Sequence, residues 1–132
     1  ATTPDAKFSL TETMIGIPPA QIAPFVVARV GLSTARRIML TGSRFDGAEA
    51  RSLGLADYVT DDLDAVEANI RNGIMKCAPG ANAATKALIL GSATLSRNES
   101  LDRAADSFAR CLRSDEGREG VASFLEKRKP NW

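Results

Sequence analysis

The sequence of 132 residues predicts an α/β chain that is mostly helix, with short strands only near residues 2–10 and 55–59. Two patterns predict this. Around Phe8-Ser9-Leu10-Thr11 apolar and polar residues alternate, as in a half-buried strand, whereas from Ile22 onward apolar residues recur three and four apart, as along a helix face. From Gly80 to the end the helical pattern stands alone, which divides the chain into a mixed part, 1–79, and a helical part, 80–132.

The opening strand directs Phe8, Leu10 and Glu12 towards one apolar face, and Gly16 with Pro18-Pro19 ends it. A carboxylate on such a face is paired, neutral or lining a cavity, because burying a lone charge is costly. Two readings of Glu12 follow. If the strand stops at Leu10, Glu12 is a solvated turn residue. Alternatively, Glu12 is a catalytic acid or base in an apolar pocket, where desolvation lets a carboxyl exchange protons near neutral pH.

Next, Ile22, Phe25, Val26 and Val30 mark a helix with Pro24 in its first turn and Gly31 closing it. Ser33 then caps a helix that carries Ala35, Ile38 and Met39 to a core and stops at Thr41-Gly42. Asp46 with Glu49 forms a variant capping box for a brief helix ending at Gly54, and 55–59 follows as a strand. Asp61-Asp62 opens a helix with Leu63, Val66, Ile70 and Ile74 as its buried stripe, stopped by Pro79.

In 80–132, Ala83, Ala84, Ala87, Leu88 and Leu90 make a helix apolar on most sides, as expected of one buried between helices or subunits. Ser96 with Glu99 is a second capping box, followed by Leu101, Ala104, Ala105, Phe108, Cys111 and Leu112 at helical spacing. Ser114-Asp115 starts the last helix, with Val121, Phe124 and Leu125 on one side. That helix ends in Lys127-Arg128-Lys129-Pro130, which reads either as cations satisfying a helix C-terminus or as a ligand site, Phe124 offering a flat face to a base and Lys127 meeting a phosphate.

Composition narrows the function. A net charge of +1 with one late basic cluster argues against nucleic acid as the main partner. There is no apolar run of membrane-spanning length and no signal-peptide pattern, so no membrane partner and a cytoplasmic address are expected. With no His, a Ser-His-Asp triad, a Cys-His pair and the common zinc sites lack a member, so no metal site is expected. Cys77 and Cys111, far apart, read as reduced and packed. The start at Ala1-Thr2-Thr3-Pro4, without Met and already resembling mid-sheet, predicts that an N-terminal part precedes it.

In order along the chain stand Phe8-Ser9-Leu10-Thr11-Glu12 then Gly16-Ile17-Pro18, Arg29-Val30-Gly31 with Leu40-Thr41-Gly42, Glu49-Ala50 with Gly54-Leu55, and Arg118-Glu119-Gly120 leading into Phe124-Leu125-Glu126-Lys127-Arg128-Lys129. In these motifs the chain resembles the C-terminal half of the crotonase family, the enoyl-CoA hydratases and isomerases. Pro19-Ala20-Gln21-Ile22-Ala23-Pro24, in place of the glycine-rich turn of short-chain hydratases, and Cys77-Ala78-Pro79-Gly80 are most similar to the branch that hydrates 3-substituted glutaconyl-CoA thioesters, the isohexenyl- and methyl-substituted ones first.

The resemblance implies a crotonase-like ββα spiral, of which 1–79 is the C-terminal part of the core and 80–132 a helical region that covers CoA and joins trimers or dimers of trimers. It implies a lyase adding water across the α,β-double bond of an acyl-CoA, with no cofactor beyond the coenzyme A of the substrate. Glu12 matches the glutamate that protonates the α-carbon, and Phe124 and Lys127 match CoA-binding positions. The first glutamate and both oxyanion-hole donors fall in the half expected before Ala1. An isomerase, a decarboxylase and a non-catalytic assembly fragment are the alternatives.

Overall fold

The computed structural model describes residues 1–132, which form two compact units, Ala1–Asn69 and Ile70–Trp132. In the first, β1 (Lys7–Ser9) pairs antiparallel with β2 (Arg44–Asp46), bringing Phe8 opposite Phe45 with their rings stacked at 5.6 Å. From the sequence, the stretch before Asp46 reads only as turn and cap; three residues are too few to display an alternation, so β2 is visible only through its partner.

Between these strands lies α1 (Ala23–Leu40), which Gly31 breaks with φ 77° and ψ 161°, the boundary expected between two helices. Pro24 sits in its first turn, where no intrahelical N–H is needed. Ala35, Ile38 and Met39 are buried with Phe45 and Ala50, and Phe8, Leu10, Val26 and Val30 pack around them. Ile22 and Phe25 of the expected stripe are exposed instead, because the short sheet and α2 (Gly47–Ser52) cover only one side of α1. Asp46 caps α2 as expected, accepting from the Glu49 N–H at 2.9 Å.

No strand forms at 55–59. Two of its carbonyls are taken by side chains, Arg29 Nε donating to Leu55 O at 3.2 Å and Arg51 to Asp57 O, and the Tyr58 carbonyl accepts from the Thr2 N–H at 3.0 Å. Only a parallel bridge, Thr2 with Val59, remains. Arg29 also holds the Asp57 carboxylate at 2.7 Å. Along α3 (Leu63–Ile74) the predicted stripe is present in sequence but not buried; Leu63, Ile70 and Ile74 are all exposed.

The second unit packs α4 (Pro79–Gly91), α5 (Arg97–Arg113) and α6 (Asp115–Leu125) together. Pro79 opens α4 and does not merely stop the helix before it, since its missing N–H falls where a helix has an orphan donor. Both oxygens of Glu116 on α6 take the first N–H groups of α4, from Gly80 at 3.1 and 2.8 Å. The Ser96–Glu99 capping box forms reciprocally, and Ser114 caps α6 through the Gly117 N–H at 3.0 Å.

The helices meet through small residues. Ser107 and Ser123 are buried, and a Cβ on Gly117 would stand 2.1 Å from the Cys111 carbonyl oxygen. Leu101, Phe108 and Leu112 of the expected α5 stripe face outward, as do Ile89 and Leu90 of α4. Cys111 is partly covered but Cys77 is exposed, against the expectation of two packed thiols. No helix is long and apolar enough to cross a membrane.

Candidate active site

Glu12 does not reach its place by strand alternation. The strand stops at Ser9, Thr11 turns the chain, and Glu12 begins a single 3-10 turn, Glu12–Ile15. Its backbone is closed by Met14 N–H to Thr11 O at 3.0 Å and Ile17 N–H to Glu12 O at 3.1 Å, with Gly16 in the left-handed region at φ 78°. Glycine takes that conformation without the Cβ clash that other residues pay.

The turn is then fastened to the end of α1. Leu10 N–H donates to Ser43 O at 3.1 Å, and the Thr13 hydroxyl to Met39 O at 3.2 Å. Met14 lies over Gly42, where a Cβ would come within 2.7 Å of the Met14 Cγ. Thr41-Gly42, structural on its sequence pattern alone, is therefore part of what seats the Glu12 turn; the signal was a glycine with φ 59° at a helix end, but its partner Met14 is far away in sequence.

The carboxylate is half-buried, and its Oε2 is shielded from solvent with no hydrogen-bond partner. An unsatisfied buried acceptor costs about 1–3 kcal/mol, and a catalytic or ligand-binding task is one of the reasons for which proteins keep one. Around it Met14, Ile15 and Ile17 expose apolar surface. The arrangement is a carboxylate with one shielded oxygen, on a hydrogen-bonded turn whose sequence neighbours are apolar and exposed; a carboxyl so held is chemically able to exchange a proton with a bound ligand. Glu12 is therefore a turn residue, as the first of the two sequence readings has it, but half-buried and not solvated.

Phe124 and Lys127 lie in the other unit, at the end of α6. Phe124 is 82% exposed. Lys127 is the one non-glycine residue with positive φ, at 53°. Lys127 N–H donates to Phe124 O at 3.3 Å and Arg128 N–H to Ser123 O at 3.0 Å, the bond pair of a Schellman cap. The basic triplet is not a uniform patch: Arg128 is engaged by Glu119 and Glu126. Hydrogen bonds from the Arg128 guanidinium, then from the Asn131 N–H, hold the Glu119 carboxyl down at about 2. A groove of about 700 Å³ in the same unit, lined by Phe108, Cys111, Leu112, Val121 and Trp132 among others, had no sequence signal, since its walls come from different helices.

Residues 2–132 match the family model for enoyl-CoA hydratase/isomerase. The chain belongs to that family. It is 50% identical to Pseudomonas aeruginosa AtuE, whose structure superposes with a TM-score of 0.88 over 97% of this chain and 51% of that one. An enoyl-CoA hydratase of Mycobacterium smegmatis, 27% identical, matches 100% of this chain and 52% of its own with a TM-score of 0.91. The peroxisomal Delta(3,5)-Delta(2,4)-dienoyl-CoA isomerase of Arabidopsis thaliana is 35% identical over 97% of this chain and 48% of that protein. The fold is thus the helix-rich C-terminal portion of the crotonase fold, and the chain spans about half the length of the curated relatives it matches.

Proposed function

We propose that this chain serves an enoyl-CoA hydratase-type lyase, in which Glu12 gives a proton to the α-carbon while water, assisted by a second carboxylate, adds to the β-carbon of an acyl-CoA thioester. The observation that carries the reading is the Glu12 carboxylate, held on a fastened turn with one oxygen buried and unpaired. A 3-substituted glutaconyl-CoA is the proposed substrate class, on the Pro19-Ala20-Gln21-Ile22-Ala23-Pro24 segment after the turn. Phe124 and Lys127 are proposed to take the adenine and phosphate end of CoA. The outward apolar residues Leu101, Phe108 and Leu112 on α5 support assembly into trimers or dimers of trimers.

In the assembled enzyme containing this chain, Glu12→Gln keeps the shape but removes the exchangeable proton. Hydration of an enoyl-CoA is expected to fall by roughly 10²–10⁴ in kcat with CoA binding retained. Undiminished turnover would refute the role. The 35% identity to a dienoyl-CoA isomerase favours a second reading, double-bond migration by the same carboxylate. Product analysis separates them: a 3-hydroxyacyl-CoA marks hydration, a shifted double bond isomerisation.

A further inference from the structure

Lys127 occupies a position that its backbone disfavours. It is the C′ residue of the Schellman cap on α6, the place where glycine is usual because the left-handed region brings Cβ against the carbonyl. A non-glycine residue persists there when its surroundings over-determine the turn, and such outliers cluster at ligand clamps.

Beyond the two backbone bonds of the cap, what holds this turn converges on one carboxylate. Glu119, two turns back on α6, receives both arms of the Arg128 guanidinium, one of them at 2.9 Å, and also the Asn131 N–H at 2.9 Å. It therefore ties down the residue immediately after Lys127 and, beyond Pro130, the end of the tail. Trp132 completes the fold-back: its indole N–H donates to Lys76 O at 3.3 Å and its ring lies against Gly120, where a Cβ would be 3.6 Å away. With Glu126 on its other side, Arg128 is committed to carboxylates, whereas Lys127 and Lys129 on either side of it are exposed and pair with none.

We propose that Glu119 is a positioning residue for the nucleotide end of the CoA ligand: by joining Arg128 to the Asn131 N–H it fixes the left-handed turn from which Lys127 meets a phosphate. This rests on the reading of Lys127 as a CoA contact and extends it to a residue that touches no ligand.

The test compares, in the assembled enzyme, an enoyl-CoA thioester with the same acyl group on pantetheine, which lacks the nucleotide. Glu119→Gln is expected to lower the ratio of kcat/KM for CoA over pantetheine by roughly three- to tenfold, chiefly through KM, because a two-pronged charged contact becomes a weak neutral one. An unchanged ratio, or an equal loss on both thioesters, would overturn the proposal. Should Glu119→Gln not fold, Arg128→Lys, which keeps the charge and loses the planar fork, replaces it: a lowered ratio supports the proposal and an unchanged one overturns it. Lys127→Ala distinguishes the two layers. A ratio that falls in Lys127→Ala but not in Glu119→Gln leaves the contact standing and overturns the positioning; a ratio that falls in neither overturns both.

Discussion

Lys127→Gly is expected to stabilise the helical unit while removing the proposed CoA contact. A left-handed residue with a Cβ costs about 1–2 kcal/mol, which glycine avoids, but glycine gives back about 0.5–1 kcal/mol in unfolded-chain entropy. The net gain lies within roughly 0–1.5 kcal/mol and centres on ~0.75 kcal/mol, which for a unit of this size raises the thermal midpoint by about 3–6 °C. The Schellman bonds, Lys127 N–H to Phe124 O and Arg128 N–H to Ser123 O, involve only backbone and survive the change. Thermal unfolding followed by circular dichroism measures the shift. Lys127→Ala is the control, since alanine keeps the steric cost and loses the same ammonium. The glycine variant should melt above the alanine variant, and both should bind CoA less tightly than the parent. A glycine variant that melts at or below the alanine variant would refute the claim that φ 53° is held against a steric penalty.

Two further outcomes follow from the same unit. Ala78 offers α4 no side-chain cap, so removing the Glu116 carboxylate, which serves Gly80 and Ala81, should cost about 1–2 kcal/mol in urea unfolding and speed amide exchange at those two residues; an unaltered urea midpoint in Glu116→Ala would refute the capping role. The Glu119 carboxyl is held at about 2, below its ordinary 4.5, so its contribution to stability is fully present above pH 4.5 and is lost as the pH falls towards 2. The gap in stability between the parent and Glu119→Gln should therefore narrow across that acid window, and a gap constant with pH would contradict the ion pair.

What could be read in advance depended on how far apart the partners lie. Asp46 with Glu49, Ser96 with Glu99 and Ser114 with Gly117 are three residues apart, so a cap is written largely in local sequence, and all three N-caps form, though Glu49 does not return the bond and Ser33, expected to cap a helix, lies inside α1 and makes no cap. The break at Gly31 and the tolerance of Pro24 were legible for the same reason. The family was legible too, because its motifs are ordered along the chain. The helical stripes were read correctly as patterns and wrongly as burial: a stripe tells which face is apolar, not which face a neighbour covers, and small residues at Ser107, Gly117 and Ser123 set the packing instead.

By itself, then, the amino-acid order determined the helices, their caps and the presence of an acidic residue after the first strand, since these depend on contacts within a turn or two of the chain. Tertiary structure alone decided that 44–46 would pair with that strand, and that 55–59 would keep only a bridge to Thr2 while Arg29 and Arg51 take its Leu55 and Asp57 carbonyls. It also decided that Glu12 would sit on a turn seated against Met39, Gly42 and Ser43, and that Glu119 would grip both sides of the C-terminal tail. Those arrangements join atoms remote in sequence, and no local preference encodes which remote atom will arrive.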